Sequence, residues 1–343
     1  MNIPSPSGWP TPRVGITGVG VSLPDQVLAT ADLQDRIAAA SDIPLPPGLF
    51  GTITGIEQRR VAGDDEYTST FAVRAARQAL TAAGRTPADI DLLLFASAGR
   101  DLVEPATAHI VQAELGSSAH ALDVTNACNS FINGIDLARS MVLAGRARRA
   151  LVVTGETPTR VMRPKLDSMA QARTAFAGYT FGDGGAAVLL EPVRRGGIVD
   201  IDTETRSEHW SVGGIFGGGS RHPRGDDEHT YFHGDGHALR GVFERIGTDI
   251  LHRVRQRTGW DWVDYERVLV HQVSVPYLER FIEVTGVPKE KLEVTVTELG
   301  NLASATLGVQ LARIDAELRP GDRVLAIGLG GGVSVMTMVW EKP

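Results

Sequence analysis

The sequence predicts an α/β protein in which strands and helices alternate from residue 13 onward. Two observations support this class. Continuous apolar runs of buried-strand type occur at 91–97 and 267–271, and segments with apolar residues at helical spacing, such as 129–145, lie between such runs. Alternation of this kind builds buried sheets covered by helices. Because 343 residues exceed the size at which one core stops growing, we expect two domains or two fused half-domains.

The first half, assigned to residues 1–192, is predicted to contain five strands and three helices. The strands cover 13–21, 91–97, 121–125, 149–155 and 185–191, and the helices cover 68–83, about 107–115 and 129–145. Gly84 follows the first of these helices and Gly145 closes the last, at positions where glycine commonly ends a helix.

The second half, residues 193–343, repeats this theme. The predicted strands cover 197–205, 267–271, 323–328 and 334–340, and the helices cover 238–257, 276–285 and 303–318. Residues 206–237, which follow the first strand of this half, are rich in Gly, His and Asp, which predicts a long surface loop. The apolar runs 90–95 and 266–271 hold similar places in the two halves, which indicates a duplication.

Composition and charge exclude several classes of function. Apolar residues are 42% and charged residues 22%, as in an ordinary globular protein, and a net charge of −7 argues against nucleic-acid binding. No stretch approaches 18 uninterrupted apolar residues, and the proline-rich residues 1–12 lack the apolar core of a signal peptide, so we expect no membrane span. A single cysteine excludes an internal disulfide and indicates a reducing compartment, hence a cytoplasmic protein.

That cysteine, Cys128, lies on a predicted turn between a buried strand and a helix. The positive end of the helix dipole should favour the thiolate, which is the nucleophilic form. The alternative is a small buried hydrophobic residue, which is how most free cysteines behave.

Three further features could complete a site for acyl chemistry. His271 ends a buried strand, where α/β proteins place functional groups, although a lone histidine is more often a core residue. Asn301 precedes a helix and could equally be a cap. The loop 328–332, Gly-Leu-Gly-Gly-Gly, could offer bare backbone N–H groups to an oxyanion or could be a tight turn.

Taken together, these motifs resemble those of the ketoacyl synthase III branch of the thiolase superfamily. The set consists of Asn-Ala-Cys before a helix, Val-His-Gln at a strand end, Gly-Asn-x-x-Ser-Ala at a helix start and Gly-Gly-Gly near the C-terminus, in this order. Residues 181–187, Phe-Gly-Asp-Gly-Gly-Ala-Ala, and 54–60, Thr-Gly-Ile-Glu-Gln-Arg-Arg, also resemble that family, so the similarity covers nearly the whole chain.

The resemblance implies a five-layer αβαβα thiolase fold built from two similar halves, acting as a homodimer without a cofactor. It implies that Cys128 takes the acyl group from an acyl-CoA or acyl carrier protein thioester, and that His271 and Asn301 hold the second thioester during carbon–carbon bond formation. The backbone N–H groups of Cys128 and Gly331 would form the oxyanion hole.

Glu104 indicates which group within the superfamily the chain resembles. It stands where ketoacyl synthase III enzymes usually have a phenylalanine that reaches into the partner's acyl pocket. This resembles the thiolases of olefin and β-lactone pathways, in which a glutamate removes an α-proton, although a solvated loop carboxylate remains the alternative. Residues near Leu49 and Ile53 replace the family's tryptophan and arginine that clasp CoA, so a carrier-protein donor stays open. The Phe181-Gly-Asp-Gly segment is closer to ordinary ketoacyl synthase III.

Two other functions stay open at this level. A related acyltransferase could transfer the acyl group to oxygen or nitrogen, although such enzymes often replace the asparagine with an acid. The segment 222–237 could bind a metal through its histidines and acids; these are His222, His229, His233, His237, Asp226, Asp227, Glu228 and Asp235. The glycines at 15, 18 and 20 have the wrong spacing for a dinucleotide site.

Overall fold

The computed structural model describes residues 13–223 and 227–343, without the side chains of 227, 237–240 and 243–247. Residues 1–12, on which the signal-peptide argument depends, lie outside the described residues. Among the described residues, no helix is long and apolar enough to cross a membrane.

The strands and helices alternate as the sequence predicts. The strands are β1 Arg13–Ser22, β2 Val27–Ala29, β3 Gln58–Arg60, β4 Leu92–Ala96, β5 His120–Val124, β6 Ala150–Glu156, β7 Gly184–Val193, β8 Gly197–Thr205, β9 Gly213–Gly214, β10 His233–Gly234, β11 Arg267–Val270, β12 Arg323–Gly330 and β13 Ser334–Glu341. The α-helices are α1 Thr30–Ala40, α2 Leu49–Thr54, α3 Thr68–Ala82, α4 Thr107–Leu115, α5 Ser130–Leu143, α6 Met169–Ala175, α7 Asp227–Thr230, α8 Gly236–Thr258, α9 Val275–Thr285, α10 Val296–Leu299 and α11 Thr306–Ile314. Short 3-10 helices cover Pro87–Asp89, Pro158–Val161, Phe176–Thr180, Ser207–Val212, Trp262–Asp264, Lys289–Lys291 and Ala303–Ala305.

Two sheets with the same topology form the frame of the molecule. The first has the order β5-β4-β6-β7-β1, in which β4 is parallel to β5 and β6, and β7 is antiparallel to β6 and β1. The second has the order β11-β12-β13-β8 with the same relative directions, and a parallel bridge between Val268 and Leu292 stands where β5 stands in the first. Strands β4 and β11 therefore occupy equivalent places, as the sequence indicates for 90–95 and 266–271.

The helices and sheets stack in five layers, as expected for a thiolase fold. Helices α3 and α4 cover the outer face of the first sheet, and α8 and α9 pack on the outer face of the second. Helices α5 and α11 fill the space between the sheets, in a core that includes Phe131, Leu307 and Trp340. Because both faces of the central strands are covered, β4, β6, β12 and β13 are buried almost throughout rather than at alternate residues.

The glycines of β1 serve packing and not nucleotide binding. A Cβ atom on Gly20 would lie 2.0 Å from the carbonyl oxygen of Ala75, and one on Gly18 would lie 2.2 Å from that of Ala79. Both carbonyls belong to α3, so these positions allow the helix backbone to lie directly on the strand.

Two expectations about the elements are wrong. The helix predicted over 303–318 begins as a 3-10 turn and its α-helical part ends at Ile314. The segment 206–237 is not a plain surface loop, because its described part contains a 3-10 helix and the β9–β10 ladder. Phe232 within it packs edge-on against Phe181, with ring centroids 5.0 Å apart. The sequence also misses α1, α2, α6 and the β2–β3 pair.

Candidate active site

Cys128 lies on a tight turn between β5 and α5, as the sequence predicts. Ser130, the first residue of α5, accepts a hydrogen bond at its Oγ from the N–H of Asn126 (2.8 Å) and donates one to the carbonyl of Ala127 (2.7 Å). Ala127 has a φ of 47°, in the left-handed region that L-residues rarely adopt. The turn thus presents the half-buried Cys128 directly before the helix.

The thiol of Cys128 is not the pre-formed thiolate that the helix start predicts. Burial, and after it the nearby carboxyl group of Glu156, raises its pKa to about 12. Two backbone N–H groups, those of Gly331 and of Cys128 itself, oppose this effect by donating towards the sulfur. Desolvation therefore outweighs the helix dipole here, and the proton must leave as the sulfur reacts.

The turn that carries Gly331 joins β12 to β13 and is tied to the Cys128 turn. Asn129, which is fully buried, donates from Nδ2 to the carbonyl of Ser334 (2.9 Å) and to its Oγ (2.7 Å). Val333, between Gly331 and Ser334 in the chain, has a φ of 43°. The side chain of the residue that follows Cys128 is thereby fixed to the turn that carries the N–H group of Gly331.

His271 follows the last residue of β11, at the carboxyl end of the second sheet. Its N–H continues the ladder to the carbonyl of Ile327 (2.9 Å), and the side chain is buried. Burial lowers the pKa of the imidazole to about 4, so the ring is neutral at physiological pH. Within the described residues its Nδ1 has no hydrogen-bond partner.

Asn301 lies in the loop between α10 and α11, held by its backbone against the segment before β7. Its N–H donates to the carbonyl of Thr180 (2.8 Å), and its carbonyl accepts from the N–H of Gly182 (3.1 Å). Its Oδ1 accepts from the N–H of Ala303 (3.0 Å), which is the cap-type bond that the sequence leaves open. Among the described residues, Nδ2 makes no such bond, so this group remains available as a donor.

Two buried glutamines join the His271 and Asn301 segments. Gln272 accepts at Oε1 from the N–H groups of Thr295 (2.9 Å) and Val296 (3.0 Å), which begin the approach to α10. Gln310 of α11 donates from Nε2 to the carbonyl of Val270 (3.0 Å), the residue before His271. The Val-His-Gln motif is therefore bonded to both sides of the Asn301 loop.

Backbone strain is concentrated at these positions. The non-glycine residues with positive φ among those described are Ala127, Ala303 and Val333, each within two residues of a predicted site residue. Such conformations cost roughly 1–3 kcal/mol each and persist only where surrounding structure imposes them. Their coincidence with Cys128, Asn301 and Gly331 marks this region as a built site.

Glu104 lies apart from these groups. It is exposed, in the segment 102–105 that also exposes Leu102 and Val103, and within the described residues its carboxylate makes no hydrogen bond or ion pair. The segment is anchored behind it, because Asp101 accepts from the Oγ1 of Thr68 (2.5 Å). Among the described residues of one protomer, no hydrogen bond or ion pair therefore joins Glu104 to the Cys128 site.

The other sequence candidates occupy different places. Leu49 and Ile53, near the positions compared with the family's CoA-binding tryptophan and arginine, both lie on α2. Leu49 is half-buried and Ile53 is exposed. In the segment 222–237, the rings of His222 and His229 stack at 3.6 Å. Among the described residues, no group of three potential ligands could hold a metal ion. Asp226 and the side chains of Asp227 and His237 lie outside the described residues.

Glu156 is a site residue that sequence reasoning missed. It ends β6 and is 1% exposed, with burial raising its pKa to about 7. The signal was present, because a charged residue at the carboxyl end of an otherwise apolar buried strand is uncommon without a role.

The fold and the groups at its strand ends define a condensing enzyme of the thiolase class. Two sequence models of one family match the chain, that of 3-oxoacyl-[acyl-carrier-protein] synthase III at residues 122–207 and that of its C-terminal part at residues 256–342. The β-ketoacyl-[acyl-carrier-protein] synthases III of Listeria monocytogenes and Symbiobacterium thermophilum are each 31% identical over 96% of this chain and cover 100% and 98% of their own.

Solved structures agree with this family. A glutamate-to-alanine variant of Xanthomonas campestris OleA is 27% identical with a TM-score of 0.87, covering 98% of this chain and all of its own. FabH of Pseudomonas aeruginosa is 27% identical with a TM-score of 0.82, covering 96% of this chain and 98% of its own. The chain belongs to the 3-oxoacyl-[acyl-carrier-protein] synthase III family, which confirms the resemblance read from its motifs.

Proposed function

We propose that this enzyme condenses two acyl thioesters in the cytoplasm through an acyl group carried on Cys128. The observation that carries the proposal is the strained turn at Cys128, where the N–H groups of Gly331 and Cys128 both donate towards the sulfur. A ligand carbonyl attacked by that sulfur would place its oxygen near these donors, which is the arrangement that stabilises a tetrahedral intermediate.

In the first step, the sulfur attacks the thioester carbonyl, the thiol loses its proton, and the carrier leaves as a thiol. Because burial raises the pKa of the Cys128 thiol, little thiolate exists before substrate arrives. The negative charge then passes to the thioester oxygen, where the two N–H groups stabilise it. Because the thiol stays protonated until substrate arrives, Cys128 is also less open to unproductive reactions.

In the second step, His271 and Asn301 hold the carbonyl of the second thioester. A neutral imidazole and the free Nδ2 group of Asn301 are both hydrogen-bond donors, and neither adds a permanent charge. An enolate formed from that thioester would gain most from them, because its oxygen carries the developing charge. The α-carbon of this enolate then attacks the acyl carbonyl on Cys128. The new carbon–carbon bond forms, and the bond between that carbonyl and the sulfur breaks.

We assign the removal of the α-proton of the second thioester to Glu104 from a second copy of the chain in a homodimer. The exposed apolar side chains beside Glu104 support an interface there. OleA has been solved as glutamate, histidine and cysteine variants, which are the residue types of Glu104, His271 and Cys128. A solved cysteine-to-serine form of OleA holds lauric acid and lauroyl-CoA, which favours acyl-CoA donors; the relatives named after acyl carrier protein favour carrier-bound ones.

Product analysis tests this function. The enzyme is incubated with pairs of acyl-CoAs, with acyl-CoA and malonyl thioesters, and with the carrier-protein forms of each. A β-keto product is expected, and its formation without malonyl groups identifies the branch that uses Glu104. An ester or amide product with alcohols or amines, and no carbon–carbon product from any pair, would instead identify the O- or N-acyltransferase.

A further inference from the structure

The buried carboxylate of Glu156 joins two segments of the site that are far apart in sequence. Its Oε1 accepts from the N–H of Ala98 (2.7 Å), and its Oε2 accepts from the N–H of Gly99 (2.9 Å). The Oγ of Ser304 donates to Oε1. Ala98 and Gly99 begin the segment that leads to Glu104, and Ser304 lies three residues after Asn301.

The contacts are specific for a carboxylate at this place. A Cβ atom on Gly99 would lie 3.0 Å from Oε2, so the turn is fitted closely around the acid. Among the described residues, no cation pairs with Glu156, and its partners are N–H and O–H donors alone. An acid that was present only for charge balance would have an ion-pair partner, as Glu191 has in Arg85 and Arg149.

Behind Glu156, hydroxyl groups continue the hydrogen-bond network into the core. The Oγ of Ser304 is 2.7 Å from the Oγ1 of Thr154, which is 2.9 Å from the Oγ of Ser97. Ser97 in turn donates to the carbonyl of Gly155 (3.0 Å). Each hydroxyl can rotate to donate or to accept, so the network remains satisfied whether or not Glu156 carries a proton.

We propose that Glu156 is a positioning residue for the condensation step, which holds the Glu104 segment and the Asn301 loop in one fixed arrangement. The proposal rests on the function proposed above. Acylation of Cys128 uses neither segment, whereas condensation uses both. Loss of this link should therefore slow the second step selectively.

The charge of Glu156 predicts that its removal affects the rates of acylation and condensation in different directions. The carboxyl group of Glu156 raises the pKa of the Cys128 thiol, so its charge opposes formation of the thiolate. Removing that charge should leave acylation unchanged or make it faster. A defect that only loosened the structure would slow both steps together, so the direction of the acylation rate separates positioning from general destabilisation.

The test uses Glu156→Gln, which keeps the size but replaces one acceptor oxygen by a donor. Single-turnover acylation of Cys128, followed by intact mass, should be at least as fast as in the wild type, while condensation falls at least tenfold. Hydrogen exchange at 98–104 and 301–305 should increase. Glu191→Gln, which alters a paired acid at the opposite end of the same sheet, should change neither the ratio of the two rates nor exchange at these segments.

Equal losses in both rates, or unchanged exchange in a folded Glu156→Gln variant, would overturn the proposal. If that variant does not fold, Ser304→Ala decides, because it removes one donor and should shift the ratio in the same direction by a smaller amount; an unchanged ratio would reject the role. Hydrogen exchange needs no substrate, so it tests the link even if the wild-type enzyme condenses none of the thioesters offered.

Discussion

The two halves of the molecule share a sheet topology but end their strands in different chemistry. In the first half, β5 leads to Cys128 and β6 ends in Glu156; in the second, β11 leads to His271 and β12 leads to the Gly331 turn. In the function proposed above, the first half supplies the sulfur that forms a covalent bond, and the second supplies most of the hydrogen-bond donors. The shared sheets fix where the groups lie, and the residues at the strand ends decide what each half does.

If this division is correct, the largest selective effect should come from Glu104. Glu104→Gln keeps the size and removes the base, so condensation of two unactivated acyl-CoAs should fall by roughly 10²–10⁴. Acylation of Cys128 should be unchanged, because that step needs no α-proton transfer. Product formation by mass spectrometry measures the first rate, and intact mass measures the second.

Glu114→Gln, at another exposed glutamate on the following helix, is the matched control and should behave as the wild type. Two results together would contradict this role: turnover with malonyl thioesters that Glu104→Gln does not affect, and no reaction between two plain acyl-CoAs in the wild type. They would identify an ordinary ketoacyl synthase III, because condensation with a malonyl donor proceeds by decarboxylation and needs no such base.

Substitution of Asn301 should have the next largest effect, and it should slow only the condensation step. Loss of one oxyanion donor lowers the rate by roughly 10²–10³, so Asn301→Ala should condense that much more slowly. Asn301→Asp separates the two interpretations, because it keeps the Oδ1 that accepts from Ala303 and loses the Nδ2 donor. We expect both variants to be slow; a fully active Asn301→Asp would mean that Asn301 is only a cap.

The pH dependence of Cys128 alkylation tests whether the thiol is protonated in the free enzyme. With the pKa of Cys128 raised to about 12, alkylation by iodoacetamide should rise about tenfold per pH unit from pH 7 to 9, because only the thiolate reacts. Cys128 is the sole cysteine, so Cys128→Ala gives the background. A plateau across this range would restore the pre-formed thiolate that the helix start predicts.

Asn129 should have the smallest effect, on the junction between the halves. Asn129→Ala removes two buried hydrogen bonds to Ser334, which should lower the free energy of unfolding by roughly 1–3 kcal/mol. Acylation should also slow, since the Gly331 turn loses its tether. Ser334→Ala keeps the carbonyl acceptor and should lose less in a urea titration; equal losses would show that the carbonyl bond contributes little.

Local sequence patterns predict most of the fold because the central strands of both sheets are buried on both faces and read as mainly apolar runs. The Cys128 turn, the His271 strand end and the Asn301 loop were predicted to be elements of this kind, and the structure has them there. The state of the thiol was not predictable, since burial by distant segments decides it. An acid at the end of the apolar strand β6 singles out Glu156, but its contacts were not predictable, because its partners lie 57, 58 and 148 residues away.

The division between the halves is tested most directly by intact mass after incubation with one acyl-CoA. The wild type and Asn301→Ala should both gain the mass of one acyl group, located on Cys128 by peptide mapping, while Cys128→Ala gains none. We expect an adduct on both of these proteins, at least as abundant on Asn301→Ala because that variant does not consume it, and product only from the wild type. Acylation of the Cys128→Ala variant, or no adduct on Asn301→Ala, would contradict it.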